Sequence, residues 1–100
     1  MTKKVILTPI ALDEYQNIIE YLLNKWGTKV TSKFINRFEI ISELLVEHPQ
    51  IFPFVHKEKQ IQKCVLTKHN VIYFKNTPET IRVLRVFDTR QNPEKLLSLF

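Results

Sequence analysis

The stretch that decides the fold runs from Gln60 to Arg90 and reads QIQKCVLTKHNVIYFKNTPETIRVLRVFDTR. It contains three successive runs rich in Val, Ile, Leu, Tyr and Phe, residue types that are enriched in β-strands. Two polar breaks, Thr67 to Asn70 and Asn76 to Glu79, separate the runs. Apolar runs joined by short polar breaks predict a three-stranded antiparallel meander.

The last run, Thr80 to Phe87, is predicted to be a central strand because both of its faces carry apolar groups and an arginine. Strict alternation assigns Arg82, Leu84 and Val86 to one face, and Ile81, Val83, Arg85 and Phe87 to the other. The residues Asp88 to Arg90 are then expected to project beyond the sheet, where side chains often contact a partner.

The first half of the chain predicts one strand and two helices. Lys3 to Thr8 alternates like a short strand, and Pro9 ends it. Apolar residues then recur at helical spacing from Ala11, with Asp13 and Glu14 expected in the first turn and Gly27 as a left-handed stop. Thr28 is expected to cap a second helix that ends at His48 and Pro49. Residues 11–48 therefore predict an αα-hairpin that covers one face of the sheet.

Two shorter segments complete the sequence. Phe52 and Phe54, in an apolar connector between Gln50 and Lys59, are expected to close one end of the core. A short carboxyl-terminal helix is expected from Asn92 onward. The predicted fold class is α+β: one domain over residues 1–100, with four antiparallel strands, an αα-hairpin on one face and the order β-α-α-β-β-β before the last helix.

The apolar stripes predict which side chains form the core. We expect it to contain Leu7, Tyr15, Ile19, Leu22, Trp26, Phe34, Phe38, Ile41, Leu45, Phe52, Val71, Tyr73, Leu84 and Val86.

Composition excludes several classes of protein. A single glycine cannot supply a phosphate-binding loop or a dinucleotide fingerprint. The lone Cys64 excludes an intramolecular disulfide and is expected to be a buried or half-buried strand residue. The three histidines are not spaced as metal ligands, so no metal and no cofactor is expected. The sequence shows neither a signal peptide nor a membrane span, which makes the cytoplasm the expected location.

Positive charge is concentrated in the second half of the chain. The net charge is +5; residues 1–52 hold six Lys and Arg against six Asp and Glu, whereas residues 53–100 hold nine against four. A basic sheet beside a neutral helical layer indicates a partner that is nucleic acid or an acidic protein segment, although a solvated basic face without a partner stays open.

The candidate functional residues are cations on or near the sheet. Arg85 and Arg90 are the strongest candidates. Arg85 lies among apolar strand residues, where an arginine needs a carboxylate, a carbonyl or an external partner to satisfy its donors, and Asp88 or a helix carboxylate could be its internal partner. Lysines in strands and turns are more often solvated. The full set comprises Lys57, Lys59, Lys63, Lys68, His69, Arg85 and Arg90, with Tyr73 and Phe87 as aromatic neighbours.

The order of elements and four loose motifs resemble the RelE/ParE superfamily of bacterial toxins. The motifs are YLLNKWG at residues 21–27, EHPQIFP at 47–53, KHNVIYF at 68–74 and VLRVFDTRQNP at 83–93. The resemblance covers nearly the whole chain. It implies the toxin of a type II toxin–antitoxin system, neutralised by a cognate antitoxin through an acidic or amphipathic segment; a homodimer stays open.

The resemblance also implies two alternative targets. RelE-like members are ribosome-dependent endoribonucleases that cut messenger RNA with basic residues, whereas ParE-like members, which include plasmid stabilisation proteins, poison DNA gyrase. This sequence has Gln62-Lys63-Cys64 where the ribonucleases usually have an arginine, and Phe100 is the only aromatic residue after Arg90. It therefore favours a non-enzymatic gyrase inhibitor.

Residue roles follow from the same comparison. Arg85 and Arg90 match basic positions of the last strand, and Lys63 could act as a point charge without the bidentate geometry of an arginine. We expect Lys63, Arg85, Phe87 and Arg90 to contact a partner, and Lys63, Arg85 and Arg90 are the catalytic candidates if the protein is a ribonuclease. An inactive binding module of the same fold is the third alternative.

Overall fold

A computed structural model of the protein describes residues 3–90. The helix predicted from Asn92 onward lies outside this range. The described elements are β1 (Lys4–Leu7), α1 (Pro9–Trp26), α2 (Thr28–Glu47), a 3-10 turn (Pro49–Ile51), β2 (Phe54–His56), β3 (Ile61–Thr67), β4 (Asn70–Asn76) and β5 (Thr80–Asp88).

The sheet has five strands and is mixed, in the order β1-β5-β4-β3-β2. The meander of β3, β4 and β5 is antiparallel, as predicted. The prediction of four purely antiparallel strands is wrong in two respects. β1 pairs with β5 in parallel, with Lys4 opposite Thr80 and Leu7 opposite Val83, and β2 forms an additional edge strand on β3. β2 has only three residues, too few for alternation to distinguish it from a connector.

A β-bulge in β5 changes which side chains share a face. Tyr73 of β4 lies opposite Arg85, but the next residue, Phe74, lies opposite Val83, so Leu84 is an extra residue in β5. Strict alternation is therefore wrong beyond Val83. Val86 joins Ile81 and Val83 in the cluster beneath the helices, and Leu84 packs with Phe87 in a second cluster.

The main core lies between the αα-hairpin and one face of the sheet. Phe74, Leu45 and Leu66 are among its fully buried side chains, and Cys64 is buried there, as predicted. Most of the expected core residues contribute to it: Leu7, Tyr15, Ile19, Leu22, Phe34, Phe38, Ile41, Leu45, Phe52 and Val86. A smaller cluster on the opposite face contains Ile61, Val71, Tyr73, Leu84 and Phe87.

Two aromatic side chains expected in the core are exposed instead. Phe52 packs edge to face on Phe74, with ring centroids 5.8 Å apart, but Phe54 lies on the edge strand β2 and is exposed. Trp26 is the last residue of α1 and is 59% exposed, beside the groove described below rather than in the core.

The helix boundaries differ slightly from the expected ones. Thr8 caps α1 by accepting a hydrogen bond from Ala11 N–H, so the helix begins at Pro9 and no acidic residue lies in its first turn. Gly27 ends α1, as predicted, with φ 86° and ψ −176°, a conformation almost restricted to glycine. Gly27 also precedes α2, so Thr28 is the first residue of that helix rather than its cap.

Candidate functional site

β5 continues beyond the end of β1. There, residues at the start of α1 form hydrogen bonds with the backbone groups of β5 that β1 does not reach. Thr8 donates from its backbone N–H to the carbonyl of Val83 and from its hydroxyl to the carbonyl of Leu84. In the second turn of α1, Glu14 Oε1 accepts the backbone N–H of Val86 at 3.0 Å. The first turns of α1 therefore continue the hydrogen bonding of the edge after β1 has ended.

Arg85 is held at this edge by Glu14. Its Nε donates to Oε1 at 2.9 Å and its Nη2 donates to Oε2 at 2.7 Å, which is a bidentate pair with both side chains largely buried. The hydrogen bonds that Arg85 donates to Glu14 raise the pKa of Arg85 above its ordinary value. Of the alternatives left open by the sequence, the helix carboxylate is the internal partner of Arg85.

Arg90 forms a second bidentate pair, with Asp88. Its Nε and Nη2 donate to the two carboxylate oxygens at 3.0 and 2.8 Å, and its backbone N–H donates to Oδ1 at 2.9 Å. The hydrogen bonds from the Arg90 side chain lower the pKa of Asp88. Asp88 is the last residue of β5 and lies opposite Asn70, so of the residues 88–90 expected to project beyond the sheet only Thr89 and Arg90 do so, and Arg90 folds back onto Asp88.

Three of the four predicted partner-binding residues surround Tyr73. Lys63 and Arg85 are its cross-strand neighbours on β3 and β5, and the ring of Phe87 lies edge to face with its ring, with centroids 6.4 Å apart. The Arg85 guanidinium carbon is 6.0 Å from the centroid of Phe87. Lys63 is exposed, whereas Tyr73 is buried, and burial raises its pKa. Arg90, the fourth predicted partner-binding residue, lies outside this group.

The other predicted cations lie away from Tyr73 and its neighbours. Lys57 and Lys59 are exposed in the turn between β2 and β3, and Lys68 and His69 are exposed in the turn between β3 and β4. Burial raises the pKa of the Cys64 thiol to about 11, so the thiolate that nucleophilic chemistry requires is scarce at neutral pH.

A groove of about 830 Å³ lies between the αα-hairpin and the end of the sheet where Arg90 is found. Its apolar lining includes Ile18, Leu22, Phe34 and Val86, and Tyr21, Trp26 and Val30 stand at its exposed margin. Lys33 and Arg37 of α2 also line it. Arg37 Nε donates to the carbonyl of Leu66 at 2.8 Å, which joins α2 to the end of β3.

Sequence reasoning missed this groove as a candidate site. All of the predicted functional residues lie on or near the sheet, and Trp26 was predicted to belong to the core. A signal was present, because three basic residues recur at four-residue spacing along one helix: Lys29, Lys33 and Arg37.

Tyr21 connects the cations at the groove margin. Its pKa is lowered by a hydrogen bond with Lys25 and by the proximity of Arg90. The Lys25 ammonium is 5.4 Å from the centroid of the Tyr21 ring. The margin is therefore positively charged from α1 as well as from α2.

The described range, residues 3–90, contains no group of three or more His, Cys, Asp or Glu side chains that could hold a metal ion. Within the same range, no helix has the length and apolar character needed to cross a membrane.

Comparison with known families identifies the kind of protein. A sequence model described as the ParE toxin of the type II toxin–antitoxin system, parDE, matches residues 5–93. This chain belongs to the ParE toxin family. The family assignment confirms the resemblance found in the sequence, and it makes the protein a toxin component of a type II toxin–antitoxin system. No curated protein sequence matches the chain.

Solved structures share the fold of this ParE-family chain. A chain of the chromosomal ParDE system from P. aeruginosa aligns with a TM-score of 0.70 and 12% identity, over 87% of this chain and 96% of that chain. The YoeB dimer from Staphylococcus aureus gives 0.63 and 6% identity, over 87% and 97%. The toxin–antitoxin complex DinJ–YafQ from E. coli gives 0.59 and 9% identity, over 90% and 96%. At such low identities the similarity shows the fold alone.

Proposed function

We propose that this ParE-family toxin acts in the cytoplasm by binding and inhibiting DNA gyrase, without cutting nucleic acid, and that a cognate antitoxin neutralises it. Lys63, Arg85, Phe87 and Arg90 are assigned to contacts with the antitoxin or the target. The family match supports the toxin assignment. The choice of target rests on which groups Arg85 and Arg90 bind.

The observation that carries the choice is that both candidate arginines already bind carboxylates. A ribonuclease stabilises the charge that develops on a phosphate with donors aimed at that phosphate. Arg85 and Arg90 direct their bidentate donors at Glu14 and Asp88 instead. Lys63 supplies only one mobile ammonium, and Tyr73 is buried. This arrangement favours binding over catalysis.

The experiment that tests the target compares two reactions of the purified protein. We expect it to inhibit the supercoiling of relaxed plasmid DNA by gyrase and to leave transcripts intact in a translation extract. Cut transcripts on ribosomes, with normal supercoiling, would contradict the gyrase proposal. A protein that affects neither reaction and does not arrest growth on expression would indicate an inactive binding module.

A ribosome-dependent endoribonuclease is the second candidate. The observation that favours it is the row formed by Lys63, Tyr73 and Arg85 across three adjacent strands, which places two cations beside a phenol. Such a row would serve phosphoryl chemistry if RNA displaced Glu14 from Arg85. The translation extract separates this candidate from the first.

The assigned residues lead to a direct prediction. Replacing Arg85 and Arg90 together by alanine should weaken binding of the target about tenfold, because desolvated arginines commonly dominate interfaces. The change should reduce growth arrest on induction while the circular dichroism spectrum remains that of a folded protein. Arg82→Ala, which removes an exposed arginine of β5 outside the candidate set, is the matched control. Full growth arrest by a folded double variant would contradict the assignment.

A further inference from the structure

Three cations lie side by side on the face of the sheet that the helices do not cover. Lys4 of β1, Arg82 of β5 and Lys75 of β4 each adjoin a residue that packs in the cluster beneath the helices, so alternation places their side chains on the opposite face. Lys75 lies directly opposite Arg82, and Lys4 lies opposite Thr80, two residues before Arg82. Lys4 and Arg82 are exposed and Lys75 is half-buried. These three cations form the basic cluster.

The charge of the basic cluster is not compensated within the described range, residues 3–90. No carboxylate there forms an ion pair with Lys4, Lys75 or Arg82, and Glu79 in the neighbouring turn contributes only its backbone carbonyl, which accepts the N–H of Lys4. The ammonium of Lys3 donates to a neutral side-chain amide and adds a positive charge at the same end of the sheet. Like charges directly opposite each other on neighbouring strands are destabilising, so a bound polyanion would relieve an unfavourable pair.

The surroundings of the basic cluster are suited to phosphates. Its neighbours on this face are Ile6 of β1 and Thr80 of β5, neither of which carries a ring, and Tyr73, two positions before Lys75 in β4, is only 5% exposed. Proteins that bind single-stranded nucleic acid stack its bases on exposed aromatic rings. An amphipathic acidic peptide needs several apolar contacts, and of these neighbours only Ile6 provides an exposed one. The cluster therefore favours the backbone of a duplex.

We propose that the basic cluster binds the backbone phosphates of double-stranded DNA. The cluster crosses the adjacent strands β4, β5 and β1, and it therefore spans ~10 Å at a strand spacing of ~4.8 Å. A duplex carries one negative charge per ~1.7 Å of its axis, so about six phosphate charges fall within that span. Because contacts with phosphates carry no sequence information, the binding is independent of DNA sequence.

The basic cluster shares no residue with the set assigned to the antitoxin or the target. It lies beside the turn between β4 and β5, whereas Arg90 follows the other end of β5. The inference goes beyond the gyrase proposal, because it concerns a contact that the toxin itself makes with DNA. Arg82→Ala should therefore keep the target binding of the parent protein and lose part of the affinity for DNA.

The test is a titration of a fluorescein-labelled 20-base-pair duplex of arbitrary sequence with the full-length protein, followed by fluorescence anisotropy at several salt concentrations. The double variant Lys75→Glu with Arg82→Glu should lower the affinity about tenfold or more and reduce the slope of log affinity against log salt by about two. The matched control is Lys29→Glu with Lys33→Glu, on exposed residues of α2, which changes the net charge by the same amount. The control should keep the salt slope of the parent protein.

The single variant Arg82→Glu separates DNA binding from stability. It places a carboxylate directly opposite Lys75, so the midpoint of urea unfolding should stay the same or rise while the affinity for DNA falls. A purely structural role of Arg82 predicts a lower midpoint instead, and that result would count against the proposal.

Two further outcomes would overturn the proposal. In the first, the duplex binds the cluster variant and the α2 variant with the same affinity and the same salt slope, which would assign DNA binding to net charge alone. In the second, a 20-nucleotide single-stranded RNA or a polyglutamate peptide binds through the cluster and the duplex does not. Gyrase is absent from these assays, so a failed supercoiling test leaves their outcome unaffected.

Discussion

Two arginine–carboxylate pairs in this protein have the same bidentate geometry but join different parts of the chain. Arg85 and Glu14 are 71 residues apart and connect β5 to α1, and their side chains are only 19% and 17% exposed. Arg90 and Asp88 are two residues apart in one turn, and the Arg90 side chain is 54% exposed. The first pair is a tertiary contact between two elements, whereas the second is a local contact within one turn.

The difference shows that the geometry of an ion pair does not by itself predict how much the pair contributes to the stability of the fold. Glu14 also accepts the Val86 N–H, so it satisfies both a charge and a backbone donor at a half-buried sheet edge. Removing it leaves two groups without a partner. Breaking the pair between Asp88 and Arg90 costs little free energy, because solvent reaches both side chains and water can replace either partner.

The strongest test of this contrast is Glu14→Ala. We expect it to lower the free energy of unfolding by about 2–4 kcal/mol, because it leaves the Arg85 guanidinium and the Val86 N–H unpaired at a partly buried site. Urea denaturation followed by circular dichroism measures the change. The matched control is Asp13→Ala, which removes the exposed carboxylate of the preceding residue in the same helix. Equal losses in the two variants would show that the pair contributes nothing specific.

Double-mutant cycles sharpen the comparison. We expect the cycle of Glu14→Ala and Arg85→Ala to give a coupling energy of about 1–2 kcal/mol, since the two side chains share two hydrogen bonds away from bulk water. The cycle of Asp88→Ala and Arg90→Ala should give a smaller coupling energy, because solvent reaches both side chains and screens their interaction. The same urea experiments supply both values, and a larger coupling for the local pair would reverse our interpretation.

The smallest expected effect concerns the pH dependence of the local pair. Hydrogen bonds from Arg90 lower the pKa of Asp88 below its ordinary 3.8, so this pair is intact above that value and is lost as pH falls through the lower folded-state pKa. A carboxyl-carbon NMR titration should find Asp88 titrating below 3.8 in the parent protein. In Arg90→Ala the pKa should rise toward 3.8, and an unchanged value would mean that Arg90 does not hold the carboxylate in solution.

Local patterns in the sequence were sufficient to predict much of the fold. The meander, the αα-hairpin and the stop at Gly27 follow from apolar periodicity and turn residues, which act over a few positions. The bulge at Leu84 was not predictable, because it depends on how β5 pairs with β4 rather than on β5 alone. The parallel direction of β1 is likewise a property of a pairing between the two ends of the described chain.

The candidate site was harder to predict than the fold. An arginine among apolar strand residues indicated that Arg85 needs a partner, and a helix carboxylate was one of the alternatives, but helical spacing alone could not identify Glu14. The groove escaped prediction because it forms between elements distant in sequence. Its chemistry is visible in α2 alone only as basic residues at the helix end where acids are favoured.

The pairing of β1 with β5 sets a condition on biosynthesis. The strand at Lys4–Leu7 emerges from the ribosome early, but the strand that it pairs with begins only at Thr80. Contacts this distant in sequence form late, because the intervening chain must first be ordered or closed into a loop. A nascent chain cannot complete its sheet until β5 has been translated as far as Asp88, so toxic activity should begin only after nearly all of the described domain has been made. An antitoxin already present in the cell can bind the toxin as soon as it folds.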